Sequence, residues 1–282
     1  MCKLSKLLCF ALLAGLGSAG CPRTESNPGK SENRLELARD FLSKNQLEAA
    51  ESEANKAIAY QATNEEAYNV RGLVHHLRAL SAQRVLEIDS CLTGLDAESL
   101  RDDLEKELTL AEADFRKAAA LAPEYGEAWS NAGTAALLLG DPDRALKAYE
   151  TALANPGRLD TPGLTRANLG WAYFSKNQLV NAFKELRQAI QFQPGMCVAT
   201  YRLGRVYFAR EEWEKAAEQF QEVSDQASCG SQEAALYLMK ARLEQGLLDD
   251  ARTAQAKCLS TATSSCIAVQ CRTASFVSGG AR

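Results

Sequence analysis

Residues 163–230 spell one helical hairpin twice. GLTRANLGWAYFSKNQLVNAFKELRQAIQFQPG is followed by CVATYRLGRVYFAREEWEKAAEQFQEVSDQASCG, and the two align at a spacing of 34 residues. Leu169 falls on Leu203, Gly170 on Gly204, Tyr173 on Tyr207, Ala182 on Ala216 and Leu186 on Phe220. Small residues recur where two helices must touch, and large apolar ones where they interlock. A unit of two short helices cannot bury its apolar face alone, so copies must stack on one another. This constraint is stronger than any drawn from composition, because it sets the frame for the residues on either side.

Leu-Gly, then an aromatic, then Ala at this period, with Pro194 closing the first copy, resembles the tetratricopeptide repeat (TPR). The resemblance implies an all-α fold, a superhelix of about six helix-turn-helix repeats with a capping C-terminal helix. The first repeat runs from about Ser31 to Asn64, with Leu37, Ala38, Phe41, Ala50 and Ala57 at packing positions. Its turn, Lys44-Asn45-Gln46-Leu47, recurs as Lys176-Asn177-Gln178-Leu179. The second repeat opens at Glu65 with Tyr68 and Gly72. Its second helix waits for Ala111, Phe115, Ala118 and Pro123, so roughly 27 residues are inserted.

The insertion (about 78–104) keeps Leu77, Leu80, Leu86, Leu100, Leu104 and Leu108 at helical spacing, broken by CLTGLD. Gly94 suits a turn and Asp96 an N-cap. Both helices of repeat two are therefore expected to be overlong and to protrude by roughly 20 Å. Repeats three to six occupy 126–265. The third carries Trp129, Gly133, Gly140, Ala145, Tyr149 and Ala152 and ends in the linker NPGRLDTPG, while the degenerate sixth, about Gln232 to Ser265, carries Leu236, Leu238, Gly246 and Ala251. In 266–282, CIAVQCRTASF suits the capping helix and VSGGAR a mobile tail.

The N-terminus has a different logic. Lys3 and Lys6 precede an apolar run of roughly 11 residues, then Ser18, Ala19, Gly20 and Cys21. A run this short after a basic start is an export signal (1–20) and not a membrane span. Its end resembles a bacterial lipobox, with Ser18 standing where Leu is usual. That resemblance makes Cys21 the acylated (palmitate-bearing) first residue of the mature chain. Pro22, where a retention Asp would stand, implies the outer membrane, facing the periplasm. Cleavage nearby without lipidation is the alternative. Residues 21–33 read as a lipidated, flexible tether.

The formal charge of −4 moves to about −6 once Lys3 and Lys6 leave, and an acidic chain carries no electrostatic footprint for nucleic acid. The two histidines, His75 and His76, are adjacent in a helix, so they point apart and form no metal site by themselves. No phosphate-binding glycine loop and no Ser/His/Asp set is present. The expectation is a non-enzyme with no cofactor, no metal and no small-molecule substrate.

Beyond Cys21 the chain holds Cys91, Cys197, Cys229, Cys258, Cys266 and Cys271, which admit 15 complete pairings. Cys197 opens the first helix of repeat five and Cys229 follows its second, so antiparallel packing brings both to one end and predicts a disulfide. Cys258 is expected to pair with Cys266 or Cys271, with zinc as the rival for these three.

On the concave surface of such a superhelix, register places Leu164, Ala167, Trp171, Phe174, Val198, Tyr201, Arg205 and Phe208. These aromatics read as a groove for an apolar partner segment. The Lys, Asn and Arg with which some TPR proteins hold a peptide's terminal carboxylate are replaced by mixed residues. Lipobox, repeats, NLGWAYFSKNQLVNAFKELRQAI and a Cys-flanked repeat together resemble the type IV pilus pilotins, the Tgl, PilF and PilW lipoproteins. The resemblance implies an outer-membrane lipoprotein that binds the pilus secretin and promotes its multimer assembly, supporting pilus-dependent motility. A TPR scaffold lipoprotein for another envelope-assembly or peptidoglycan complex is the alternative.

Overall fold

The computed structural model describes residues 26–88, 95–229 and 231–276. The signal segment, Cys21, Cys91, Gly94 and the VSGGAR tail lie outside them. Among the described residues, thirteen α-helices and one 3₁₀ turn form six consecutive hairpins and a final short helix. The hairpins are α1 (Pro28–Ser43) with α2 (Leu47–Tyr60), α3 (Glu65–Ile88) with α4 (Leu95–Leu121), α5 (Gly126–Leu138) with α6 (Pro142–Ala154), α7 (Pro162–Ser175) with α8 (Leu179–Phe192), α9 (Cys197–Ala209) with α10 (Trp213–Asp225), and α11 (Gln232–Glu244) with α12 (Leu248–Thr261). Helix α13 (Cys266–Thr273) closes the stack. None of these helices is long and apolar enough to cross a membrane.

The hairpins close in the same way in five of the six repeats. Asn45, Gly140, Asn177, Glu211 and Gly246 take positive φ, between 56° and 80°. In each case the next residue donates its N–H to the carbonyl five positions back: Gln46 to Phe41, Asp141 to Ala136, Gln178 to Tyr173, Glu212 to Tyr207 and Leu247 to Arg242. This bond satisfies a carbonyl orphaned at the helix end and reverses the chain sharply.

Within a hairpin the two helices approach over a small residue. A Cβ on Gly133 would sit 2.8 Å from Tyr149, one on Gly170 2.8 Å from Leu186, and one on Gly204 2.6 Å from Phe220. Each glycine lies 16 residues before its partner. Gly72 meets Phe115 in the same way but 43 residues on, and the difference of 27 residues measures the insertion in repeat two. The inserted residues lengthen α3 to 24 residues and α4 to 27, against 13 to 16 in the other hairpins. At 1.5 Å per residue the excess projects by about 15–20 Å. Helix α4 begins at Leu95, one residue ahead of the Asp96 expected to cap it.

Successive first helices touch one another, α1 with α3, α5 with α7, α7 with α9 and α9 with α11, while α2, α4, α6, α8 and α10 each pack between their own first helix and the first helix of the next hairpin. The first helices therefore form the inner layer. A ladder of polar side chains runs along it: Asn131 Nδ2 donates to Asn69 Oδ1 at 3.1 Å, Asn168 Nδ2 to Thr134 Oγ1 at 3.4 Å, and Arg202 Nη1 to Asn168 Oδ1 at 2.6 Å.

Of the residues 21–33 expected to form a tether, 28–33 belong to α1. Asn27 caps α1 by accepting from the Lys30 N–H, and Pro28 occupies the first turn, where its missing N–H costs nothing. Ser31 is fully buried, its hydroxyl donating to Ala57 O at 2.8 Å and accepting from Asn64 Nδ2 at 2.9 Å. A polar composition concealed this, because the polar atoms are paired inside the fold. Packing in α1 also falls on Leu35, while Leu37, placed in the core from sequence, is 42% exposed.

Cys197 and Cys229 form a disulfide with Cα atoms 5.5 Å apart, joining the start of α9 to the end of the α10 hairpin. Cys258 bonds Cys271 and staples α13 to α12. That choice excludes zinc at this pair, since both sulfurs are committed. Ser265 caps α13 and also donates to Gln232 Oε1 at 2.7 Å, so the last helix is tied to repeat six by polar bonds as well.

Candidate partner-binding groove

The groove is built from the inner faces of α7, α9 and α11. Trp171 and Phe174 stand one turn apart on α7, their rings stacked at 4.6 Å and 6°. Opposite them, α9 presents Tyr201, Arg202, Arg205 and Phe208 at i, i+1, i+4 and i+7. The Arg205 guanidinium is the centre: it lies 5.5 Å from the Trp171 ring, 5.7 Å from Phe174, 5.9 Å from Tyr201 and 4.0 Å from Tyr237 of α11. It also donates to the Tyr201 hydroxyl at 3.0 Å. Cations over ring faces are attracted by the ring quadrupole, and a guanidinium stacks flat on such faces.

Arg202 also lies over the Trp171 ring, 5.4 Å from its centroid. Burial lowers its pKa to about 10, the cost of keeping a charge away from water. Burial likewise raises the Tyr201 hydroxyl above the ordinary tyrosine range, with Glu233 adding to the shift, so it stays protonated. Lys240, 5.0 Å over Tyr237, is lowered by burial and by Arg205. Among the described residues neither Arg202 nor Arg205 has a carboxylate partner, whereas Arg34, Arg71, Arg144 and Arg166 each hold one on a neighbouring helix.

Of the residues assigned to the groove from register, Trp171, Phe174, Tyr201 and Arg205 converge. Phe208 is shared with the core: it packs at 4.9 Å on Trp213, 5.5 Å on Tyr237 and 6.5 Å on the buried Phe220. Val198 packs on the core of α7, α8 and α9, and Ala167 belongs to that core with no exposure at all. Leu164 stands apart. It is 40% exposed beside Phe192 and Met196, in a separate depression bordered by Asp160, Thr161, Pro162 and Gly163.

The linker does not fill the groove. Arg158 turns to Glu65 and Glu66 at 3.2 and 3.1 Å and covers the Tyr125 ring at 4.0 Å, while Leu159 is buried beside Gly126.

Three contributors were missed in sequence: Arg202, Tyr237 and Lys240. For Tyr237 and Lys240 the signal is the left-handed turn residue. Asn177 and Glu211 are 34 residues apart but Glu211 and Gly246 are 35, so a one-residue slip puts Lys240 where Arg205 and Trp171 stand in the repeats before.

Residues 106–159 and 201–262 match the tetratricopeptide repeat family. The fold is that of the tetratricopeptide repeat. Among solved structures, the TPR superhelix of this chain is similar to PilW, described as a widely conserved type IV pilus biogenesis factor, at 19% identity over 82% of this chain and 92% of that one, with a TM-score of 0.61. It is similar to PilF of Pseudomonas aeruginosa at 14% identity over 86% and 97%, with a TM-score of 0.63. It also resembles YrrB, a TPR protein with an unusual peptide-binding site, at 21% identity over 70% and 86%, with a TM-score of 0.50. Among curated proteins none matches in sequence.

Proposed function

We propose that this protein is an outer-membrane lipoprotein anchored through Cys21, whose TPR groove binds the type IV pilus secretin and promotes its assembly into multimers. The observation that carries a binding role is the ring cluster around Arg205, with aromatic side chains on the inner face of α7, α9 and α11 and, among the described residues, no segment laid over them. Aromatic and Arg side chains held rigid on a concave face are the residue types that dominate protein interfaces. The two pilus structures that share most of this superhelix, PilW and PilF, support the choice of pilus biogenesis. The order of Lys3, Lys6, the apolar run and Cys21 supports the anchor.

The decisive experiment is deletion of the protein followed by measurement of secretin multimers. Their loss, restored by wild type and not by Trp171→Ala or Phe174→Ala of unchanged helicity, is the expected result. Intact multimers after deletion would overturn the pilotin reading in favour of a scaffold for another envelope complex.

A further inference from the structure

Resting on the groove reading, we infer that the α7–α9–α11 site takes an extended segment of a partner protein in which an Asp or Glu side chain is flanked by apolar ones. The carboxylate seats between Arg205, Arg202 and Lys240, and an apolar neighbour lies against Trp171 and Phe174.

The charges point to this occupant. Three cations share the rings of one patch, Arg202 and Arg205 at Trp171 and Arg205 and Lys240 at Tyr237, with Lys240 also donating to Gln270 Oε1 at 3.3 Å. Glu233, exposed at the start of α11, influences Tyr201 but bonds neither guanidinium; Glu150 is engaged by the Tyr173 hydroxyl, and Glu185 by Arg166. The chain as a whole is acidic, at −4, so a cationic patch is the locally exceptional feature. Two guanidiniums held part-buried without a counter-charge are costly unless something supplies one. Ring faces lower that cost without cancelling it, and leave guanidinium N–H groups to donate; among the described residues those of Arg205 are engaged by Tyr201 alone, and those of Arg202 by Asn168 alone. A carboxylate accepts such donors bidentately.

A side chain fits better than a chain terminus. Arg205 stands in the fifth of six repeats, with inner helices continuing on one side through α5 and α7 and on the other to α11. A strand crossing it presents side chains at alternate positions, one toward the cations and the next along the Trp171–Phe174 face.

Purified protein and fluorescently labelled peptides test this directly. The probes are an amidated Ser/Gly-flanked Phe-Asp-Phe peptide, its Phe-Asn-Phe and Phe-Lys-Phe counterparts, and a Phe-Asn-Phe peptide with a free C-terminal carboxylate. The expected order places Asp about tenfold or more above Asn, the factor of one charge-assisted bond, with Lys weakest. Arg205→Gln and, separately, the more peripheral Lys240→Gln are expected to erase most of the Asp preference. Both variants are checked by circular dichroism, and the Lys240 variant keeps the test open if Arg205→Gln fails to fold. Equal binding of Asp and Asn peptides overturns the inference, as does full restoration of binding by a terminal carboxylate alone. The outcome separates from that of the pilotin reading: secretin capture lost in Trp171→Ala but intact in Arg205→Gln removes the carboxylate and leaves the function. An Asp preference in a protein that never captures secretin does the reverse.

Discussion

Gly204→Ala is the sharpest test of how these hairpins are held together. An added Cβ would stand 2.6 Å from Phe220 Cε1, 2.9 Å from its Cδ1 and 3.1 Å from Gln219 Cβ. Ordinary contact begins near 3.4 Å, so the ring or the helix must shift by about 0.8 Å. Phe220 has no exposure and is hemmed by Tyr201, Phe208 and Tyr237, so it has nowhere to go. Overpacking of this kind costs about 1–3 kcal/mol, and the enclosure argues for the upper half. Replacing Gly in a helix interior returns about 1 kcal/mol. The net expectation is a loss of about 1–2 kcal/mol, read as a lower urea midpoint by far-UV circular dichroism. The control is Gly29→Ala, whose Cβ would meet only Asn27 Oδ1 at 4.0 Å, and which should be neutral or slightly stabilising. Adding Phe220→Leu to Gly204→Ala should recover stability, with a coupling of about 1–2 kcal/mol. If Gly204→Ala stabilises the protein, or the cycle shows no coupling, close approach at the Leu-Gly position is not what orders the hairpin.

Reduction of Cys197–Cys229, which closes 32 residues, should cost about 2–4 kcal/mol and lower the melting temperature; equal melting of oxidised and reduced protein would count against it. Ser31→Ala should cost about 1–3 kcal/mol, because Ala57 O and Asn64 Nδ2 both lose a buried partner, whereas a flexible tether would show no change on denaturation. Glu211 is the non-Gly, non-Asn residue among the left-handed turns, so Glu211→Gly should raise stability by about 0.5–1 kcal/mol in the same assay. Cys21→Ser should abolish palmitate labelling and release the protein from membranes; retention with unchanged labelling would place the anchor elsewhere.

The repeat frame was legible because it is written in local chemistry. Gly170 and Gly204, with Leu186 and Phe220 sixteen residues on, record a steric requirement that two helices meet within one hairpin, and such a requirement repeats with the chain. The overlong α3 and α4 followed from the same count. The direction of Trp171, Phe174, Tyr201 and Arg205 toward the inner layer was legible too, since helical register fixes a face. Register could not say how deep a side chain sits. Ala167 and Val198 share that face yet pack into the core formed between α7, α8 and α9. Nor could it show that Ser31 is buried, since the bonds that hold it come from residues 26 and 33 positions away. The convergence of Arg202, Arg205, Tyr237 and Lys240 depends on the angle between three hairpins and on one extra residue before Gly246. Periodicity determines which residues a helix offers; superhelical stacking decides which of them meet, because that angle is set by contacts between repeats and by no single repeat.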